Sequence, residues 1–322
     1  MLATARERIR VCTDGNPPPV FDPFCGRGSI LLEAQRLGLQ AHASDSNPVA
    51  VLITKALIEI LPQFAGRPPV NPDDRAKLGS KAIWKGGAGL AADVRYYGKW
   101  MREEAERRIG YLYPRVQLPK EHGGGQATVI AWLWARTVKC PNPACHARMP
   151  LVHSFALSTK PSKKTWLEPK VDDSVSPSVV RFGVMTGSIS KAPGGTKQRG
   201  MSFCAVCGAA VTDAVLRKQA QQHGIGNDLM AVVAEGQRGR IYLSASSVPF
   251  MSVDPPDVSW LDQSMPQNPR WFSPPGYGLP KFSDLFTPRQ LVALTTFSEL
   301  VGEARGRTGM RWQRISRIQQ AD

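Results

Sequence analysis

The stretch VFDPFCGRGSILLEAQRLGLQAHASDSNP, residues 20–48, carries the clearest fold signal in the chain. It starts with a short apolar run, passes through Gly26 and Gly28, and continues into a segment whose apolar residues recur at helical spacing. Gly38 is a natural end for that helix, and a second strand is predicted to end at Asp45. The pattern predicts a strand, a tight turn, a helix and a second strand, the repeating unit of a parallel α/β sheet.

The glycine turn suits a ligand that carries a nucleoside. Two glycines after a strand let the backbone approach a ligand closely, and Asp45 is placed to accept hydrogen bonds from ribose hydroxyls. A dinucleotide fingerprint needs a third glycine, but Leu31 stands at that position, which disfavours a nicotinamide cofactor. The competing interpretation is that Gly26 and Gly28 only form the turn and that Asp45 caps the following helix. Cys25 has no recognisable base nearby and is interpreted as a packing residue.

Four of the six cysteines form two close pairs, which is typical of a metal site. The four are Cys140, Cys145, Cys204 and Cys207. Four thiolates satisfy a tetrahedral Zn²⁺ ion and leave no open position, so the predicted site is structural. The alternatives are an iron-sulfur cluster, disulfides or unligated thiols, and His146 could replace one cysteine as a ligand.

The charge of the chain favours a polyanionic partner. Its 322 residues carry a formal net charge of +15, and the sequence pI is about 9.8. A surplus of this size promotes association with phosphate backbones, although it can also serve solubility alone. The sequence has no apolar run of membrane-spanning length and no export signal, so a globular cytoplasmic protein without a membrane partner is expected.

A basic stretch between the two cysteine pairs is a candidate DNA-contacting surface, with a solvated loop as the competing interpretation. Trp166 and Phe182 are interleaved with its cations. The cations are Lys160, Lys163, Lys164, Lys170, Arg181, Lys191, Lys197 and Arg199.

The remaining patterns predict the organisation of the chain. A helix is expected over residues 48–60, with an apolar face of Val49, Leu52, Ile53, Ala56, Leu57 and Ile60. Residues 62–88 and 115–126 are expected to be loops, and a second helix, which Pro114 ends, lies between them with Val94, Tyr97, Met101, Ala105 and Ile109 on one face.

The predicted regions are a ligand-binding part over 1–126, a β-rich insertion over 127–247, a proline-rich connector over 248–285, a helix over 286–305 capped by Thr287, and a frayed basic tail over 306–322.

The segment DPFCGRG resembles motif I of S-adenosylmethionine-dependent amino-methyltransferases, in which Asp-Pro-Phe and one variable residue precede Gly-x-Gly. Together with the cysteine pairs and several further segments between about Val20 and Ala304, it resembles the zinc-ribbon-containing, adenine-specific DNA methylases. Those further segments are ASDSNPVAVLI, TVIAWLWARTVKCPNPACHARMPLV, AEGQRGRIYL and LFTPRQLVALTTFSELV. The resemblance implies a class I methyltransferase fold with a Rossmann-like doubly wound sheet and a zinc-ribbon insertion. It also implies methyl transfer from S-adenosylmethionine to the exocyclic amine of adenine in DNA.

The resemblance also assigns cofactor-binding residues. Asp22 and Phe24 would border the methionine portion, Gly26 and Gly28 would pass under the cofactor, and Asp45 would hold the ribose. Pro23 and Asn47, which adjoin these positions, complete the predicted cofactor-binding set.

The sequence departs from the family at the catalytic motif, Asp/Asn-Pro-Pro-aromatic, whose oxygens accept hydrogen bonds from the target amine. The one candidate, Asp254-Pro255-Pro256-Asp257, has a carboxylate in place of the aromatic residue and is interpreted as a chance match, so the catalytic residues stay unassigned. In the family the motif follows the helix that starts near Thr287. We therefore expect the central part of a longer methylase, from a truncated gene, a split enzyme or a remnant, that lacks the family's N-terminal region and its catalytic motif. In a split enzyme, a second polypeptide would supply the motif.

Two other functions are compatible with the sequence. One is a non-catalytic zinc-ribbon module that binds DNA or another partner, and the other is a methyltransferase that acts on an amine of RNA or protein.

Overall fold

The computed structural model describes residues 1–78, 84–161, 163–237, 239–248, 253–254, 256–268 and 273–319. The chain divides into two compact units, one of residues 1–104 with 299–322 and one of residues 105–298. The predicted insertion, 127–247, lies within the second unit. Among the described residues, no helix combines the length and the apolar character that crossing a membrane requires.

The chain is mixed α/β. The α-helices are α1 Leu2–Cys12, α2 Ser29–Arg36, α3 Pro48–Lys55, α4 Leu61–Gln63, α5 Pro72–Leu78, α6 Ala88–Ile109, α7 Asp213–His223 and α8 Pro288–Gln319. The strands are β1 Val20–Asp22, β2 Ala41–Ala43, β3 Val116–Gln117, β4 Gln126–Ala127, β5 Val129–Lys139, β6 Arg148–Leu151, β7 Ala156–Ser158, β8 Thr165–Asp172, β9 Val179–Thr186, β10 Lys197–Gln198, β11 Met201–Phe203, β12 Ala210–Thr212, β13 Gly226–Gly236 and β14 Gly239–Ser244.

The first unit contains the predicted strand, turn, helix and strand. Strands β1 and β2 are parallel, with Val20 opposite Ala41 and Asp22 opposite Ala43, and α2 connects them. Leu31 of α2 is fully buried against Cys25 and Ile58. Within the described part of this unit these are the only two strands, so the further strands of a doubly wound sheet are not seen there.

The predicted helix over residues 48–60 is present, but its predicted buried face is wrong. It consists of α3 followed by a π-helical segment, Ala56–Ile60, and its buried side chains are Ala50, Thr54 and Ile58. The expected apolar face is exposed, including Val49 at 59% and Leu52 at 64%. The Thr54 side chain adjoins the glycine turn at Gly28, and Ile58 packs with Cys25 and Leu31, so packing against this turn decides which face is buried.

Two predicted loops and the predicted tail contain regular structure. Helix α5 lies in the first loop, of which residues 79–83 are outside the described part, and strands β3 and β4 pair in the second. In α6, Tyr97, Ala105 and Ile109 are buried as expected, whereas Val94 is exposed.

Helix α8 begins after Thr287 as predicted, but it continues to Gln319 through the stretch that was expected to be frayed. At its start the backbone N–H of Thr287 donates to Gln290 Oε1 at 2.8 Å, and the N–H of Gln290 donates to Thr287 Oγ1 at 3.4 Å. This reciprocal arrangement is a capping box.

The second unit is rich in antiparallel β-structure, as predicted for the insertion. One sheet has the order β14-β13-β5-β6, a second has β7-β8-β9, and a third has β10-β11-β12. Buried side chains of the first two sheets share a core that includes Phe155, Leu167 and Ala231. Helix α7 was not predicted, although Thr212 caps it by accepting from the N–H of Val215.

Strand β8 allows a matched test of this core. Leu167 is 1% exposed and Val171 on the same strand is 41% exposed. We expect Leu167→Ala to lower the free energy of unfolding by about 2–5 kcal/mol, because the substitution leaves a cavity. Val171→Ala should cost less than about 1 kcal/mol. Urea denaturation measures both, and equal costs would contradict the assignment of Leu167 to the core.

Candidate functional site

The four paired cysteines come together at the ends of two hairpins. Cys140 follows β5 and Cys145 precedes β6, whereas Cys204 follows β11 and Cys207 precedes β12. The N–H of Cys140 donates to the carbonyl of Ala147 at 2.8 Å, and the N–H of Cys204 donates to the carbonyl of Ala209 at 2.9 Å. Each pair of thiols therefore lies on a turn that its own backbone closes.

The sulfur positions fit one tetrahedral metal ion. Cys140 Sγ lies 3.8 Å from Cys207 Sγ, Cys145 Sγ lies 3.9 Å from Cys204 Sγ, and all four sulfurs lie within 4.8 Å of one another. A tetrahedron of Zn–S bonds of about 2.3 Å has edges of about 3.8 Å. The four cysteines could therefore hold a metal ion such as zinc.

The alternatives to a single ion fit these distances less well. The four thiols are free, and separations near 3.8 Å are far longer than a disulfide bond of about 2.05 Å. A cluster of several irons would separate the sulfurs further, because no iron would bind more than two of them. His146 is exposed and is not among the clustered ligands.

Burial determines the electrostatics of the cluster. Cys140 and Cys204 are almost fully buried, and this burial raises the pKa of both thiols. Cys207 is exposed, and the backbone N–H of Ala209 lowers the pKa of its thiol to about 7. Buried thiolates need a nearby cation, and a bound dication would supply it.

The cluster is covered by apolar side chains, some of them from the helix that sequence reasoning missed. Cys140 and Cys204 pack with Met149, Leu216 and Ala220, and the last two belong to α7. Their four-residue spacing and the Thr212 cap were the signals in the sequence that could have revealed this helix.

Metal removal should destabilise the second unit. We expect one zinc per chain, and we expect chelation or the variant Cys140→Ser/Cys204→Ser to cost at least about 5 kcal/mol, because metal binding stabilises small sites strongly. In a unit of this size that loss corresponds to a fall of more than about 10 °C in melting temperature. Elemental analysis and calorimetry measure both quantities. Cys12→Ser is the control, since Cys12 is exposed and outside the cluster, and a metal-free chain that chelators leave unchanged would contradict the assignment.

The glycine turn in the first unit is held by Asp45. Its Oδ2 accepts from the N–H of Gly26 at 2.9 Å, and its Oδ1 accepts from the N–H of Asn47 at 2.8 Å. The N–H groups of Asn47 and Gly26 lower the pKa of the Asp45 carboxyl. Asp45 thus joins the turn after β1 to the end of β2.

The other predicted cofactor residues lie around this turn. Asp22 Oδ1 accepts from the N–H of Phe24 at 3.1 Å, and the carbonyl of Pro23 accepts from the Ser44 hydroxyl at 3.2 Å. The Phe24 side chain is 82% exposed. Asn47, rather than Asp45, caps α3, because its Oδ1 accepts from the N–H of Val49 at 3.0 Å.

Both glycines of the turn have positive φ, +50° at Gly26 and +73° at Gly28. A Cβ on Gly28 would lie 2.8 Å from Thr54 Oγ1, whereas a Cβ on Gly26 would meet nothing closer than 3.9 Å. Thr54 therefore fills the space beside Gly28, whereas the space beside Gly26 is open. The role of Thr54 was missed by sequence reasoning. Cys25 is buried, as expected of a packing residue.

The catalytic candidate gains no support from the structure. Asp254 and Asp257 are exposed, and the Asp257 carboxylate accepts from the N–H of Ser259 at 3.1 Å. Pro255 lies outside the described residues.

The predicted basic surface must be corrected. Trp166 and Phe182 are buried, at 5% and 7% exposure, so neither ring is available for stacking on bases. Three of the cations are paired with carboxylates: Lys170 with Glu168, Arg181 with Asp172 and Lys197 with Asp213. Alternation along strands β8 and β9 turns the aromatic residues inward, toward the core.

Comparisons of the chain with protein-family models, with curated proteins and with solved structures found no match. The family resemblance therefore stays a prediction.

The close approach of Thr54 to Gly28 can be tested by comparing an alanine substitution at Gly28 with one at a second glycine of positive φ. Gly38 has φ +83° and open space around the position of a Cβ. Gly28→Ala combines backbone strain with a steric clash, so we expect it to cost at least about 1 kcal/mol more than Gly38→Ala. Thermal denaturation followed by circular dichroism measures the difference. Thr54→Ala in the Gly28→Ala background should restore part of the loss, and equal costs at the two glycines would show that the clash does not exist.

Proposed function

We propose that this chain provides the cofactor-binding part of a DNA methyltransferase of the class I, Rossmann-like type. The reaction would transfer a methyl group from S-adenosylmethionine to the exocyclic amine of adenine. The observation that carries the proposal is the glycine turn between parallel strands, with Asp45 bonded to the N–H of Gly26. This arrangement places an acidic side chain and an open backbone together at the carboxyl ends of two strands, where α/β proteins bind nucleoside ligands.

The residues of the turn suit S-adenosylmethionine chemically. Each oxygen of the Asp45 carboxylate accepts one backbone hydrogen bond, which leaves it capacity to accept another from a ribose hydroxyl. The open side of Gly26 allows close approach, and the exposed Phe24 ring offers an apolar surface. Asp22 and Asp45 provide negative charge for a sulfonium cation. The cofactor, when bound, supplies the electrophilic methyl group.

Exposed apolar side chains support the proposal that a second polypeptide completes the first unit. Leu52 and Ile53 of α3 are exposed at 64% and 42%, and Phe21 of β1 is exposed at 63%. A parallel sheet is normally covered on both faces, and clustered exposed apolar residues are typical of interaction surfaces.

We expect the chain alone to bind the cofactor weakly and to turn over little or nothing. The sequence contains no Asp/Asn-Pro-Pro-aromatic motif to orient the target amine, and Asp254 is not assigned that role. A second polypeptide with this motif would restore methyl transfer. The net charge of +15 supports DNA as the substrate, since DNA is itself a polyanion.

A second candidate function is a non-catalytic DNA-binding module. The observation that favours it is the cysteine cluster, which is complete within the second unit and requires nothing from the glycine turn. Methylation of RNA or protein would use the same cofactor turn, and the substrate that takes up labelled methyl groups distinguishes these cases.

Calorimetric titration with S-adenosylmethionine tests the cofactor assignment. We expect measurable binding by the wild-type chain and a loss of roughly 10- to 150-fold in affinity in Asp45→Asn, since charge-assisted hydrogen bonds contribute about 1.5–3 kcal/mol. Glu33→Gln is the matched control, because it removes one carboxylate of the first unit outside the glycine turn. Circular dichroism must show that both variants are folded.

The titration can also contradict the proposal. No binding by the wild-type chain, together with salt-sensitive DNA binding, would favour the non-catalytic module. Unchanged affinity in Asp45→Asn would show that Asp45 has only its structural role in the turn.

A further inference from the structure

A basic groove of about 680 Å³ lies in the second unit, and none of the four clustered cysteines lines it. Strand β14 and the strands β8 and β9 line it, together with the segment around His122. Its cationic side chains are Lys163, Lys164 and Arg240, and Glu121 is the single carboxylate among the described lining residues.

Hydrogen bonds between two sheets fix the walls of the groove. The Tyr242 hydroxyl of β14 donates to the carbonyl of Leu157 in β7 at 3.2 Å. The N–H of Val184 in β9 donates to Ser244 Oγ in β14 at 3.1 Å. The groove is therefore a built feature of the fold.

Two turns bring the cations together. The N–H of Gly187 donates to the carbonyl of Lys164 at 3.1 Å, which fixes the backbone where β8 begins. A Cβ on Gly239 would lie 3.2 Å from Lys163 Nζ, so the β13–β14 turn directly adjoins the turn that contains Lys163 and Lys164. Arg240 follows Gly239, and it thus enters the groove from the opposite sheet.

Two of the three cations in the groove have no carboxylate partner among the described residues. Among the described residues, Lys164 and Arg240 are exposed and form no ion pair. Three paired cations of the predicted basic stretch, Lys170, Arg181 and Lys197, lie outside the groove lining. Unpaired cations held on a rigid scaffold favour binding of an anion.

We propose that this groove binds the phosphate backbone of duplex DNA. The cations are exposed and come from two separate turns, an arrangement that suits successive phosphates of an open strand more than one small enclosed anion. No exposed aromatic side chain of β8 or β9 contributes, because Trp166 and Phe182 are buried. The contact is therefore sequence-independent positioning of the DNA. The choice of DNA as the polyanion rests on the proposed function, whereas the groove itself does not.

The test is fluorescence anisotropy of a labelled 20-base-pair duplex over a range of salt concentrations, with the metal-loaded full chain. Each lost phosphate contact reduces the slope of log K against log salt by about 0.9, which is roughly eightfold in affinity at 0.1 M salt. We expect Lys164→Ala/Arg240→Ala to reduce the slope by about 1.8 and the affinity by roughly 60-fold at 0.1 M salt. Lys164→Arg/Arg240→Lys keeps both charges, and its slope should remain that of the wild type.

The matched control is Lys218→Ala/Arg115→Ala, which removes one lysine and one arginine from exposed positions of the same unit outside the groove. Its slope should remain unchanged. The proposal would be overturned by an unchanged slope in the groove variant or by an equal loss of slope in the control variant. It would also be overturned if the wild type did not bind DNA, or if it bound duplex RNA more tightly than duplex DNA. Because none of these measurements requires S-adenosylmethionine, a failure of the proposed methyl transfer would be seen separately.

Discussion

The constraint on which the second unit would depend is a metal ion held by four cysteine sulfurs, which lie within 4.8 Å of one another. Cys140 faces Cys207, which is 67 residues later in the chain, and Cys145 faces Cys204, which is 59 residues later. A bound ion would therefore close long loops between two separate hairpins. Apolar side chains cover the buried thiols, and burial alone disfavours the thiolate form. A bound metal ion would offset this electrostatic cost and fix the two hairpins, so one interaction would organise both the sheet ends and helix α7.

In the first unit a carboxylate joins two segments of the backbone. Asp45 connects the turn after β1 with the end of β2 through two backbone hydrogen bonds, and Thr54 packs beneath Gly28. Asn47 rather than Asp45 caps α3, but a side chain that holds the turn retains lone pairs for a ligand. Architecture and ligand binding are therefore compatible roles of the same residue.

The sequence allowed prediction of features that depend on local chemistry. Paired cysteines predicted the cluster, glycines and spacing predicted the β1-α2-β2 unit, and Thr287 predicted the start of α8. Two features that depend on tertiary packing were predicted wrongly, although the burial of Tyr97, Ala105 and Cys25 was predicted correctly. The buried face of α3 is set by small side chains near the glycine turn, and Trp166 lies in the core because its neighbouring strands form a sheet. A single sequence contains no direct signal for which of two apolar faces is covered.

The central structural claim is that four thiolates bind one zinc ion in the second unit. X-ray absorption fine structure at the zinc edge, measured on the intact chain as purified, tests it most directly. We expect a single shell of four sulfur atoms at about 2.3 Å, with no nitrogen or oxygen ligand. A shell that contains fewer sulfurs, or nitrogen from a histidine such as His146, would contradict the tetrahedral site formed by Cys140, Cys145, Cys204 and Cys207.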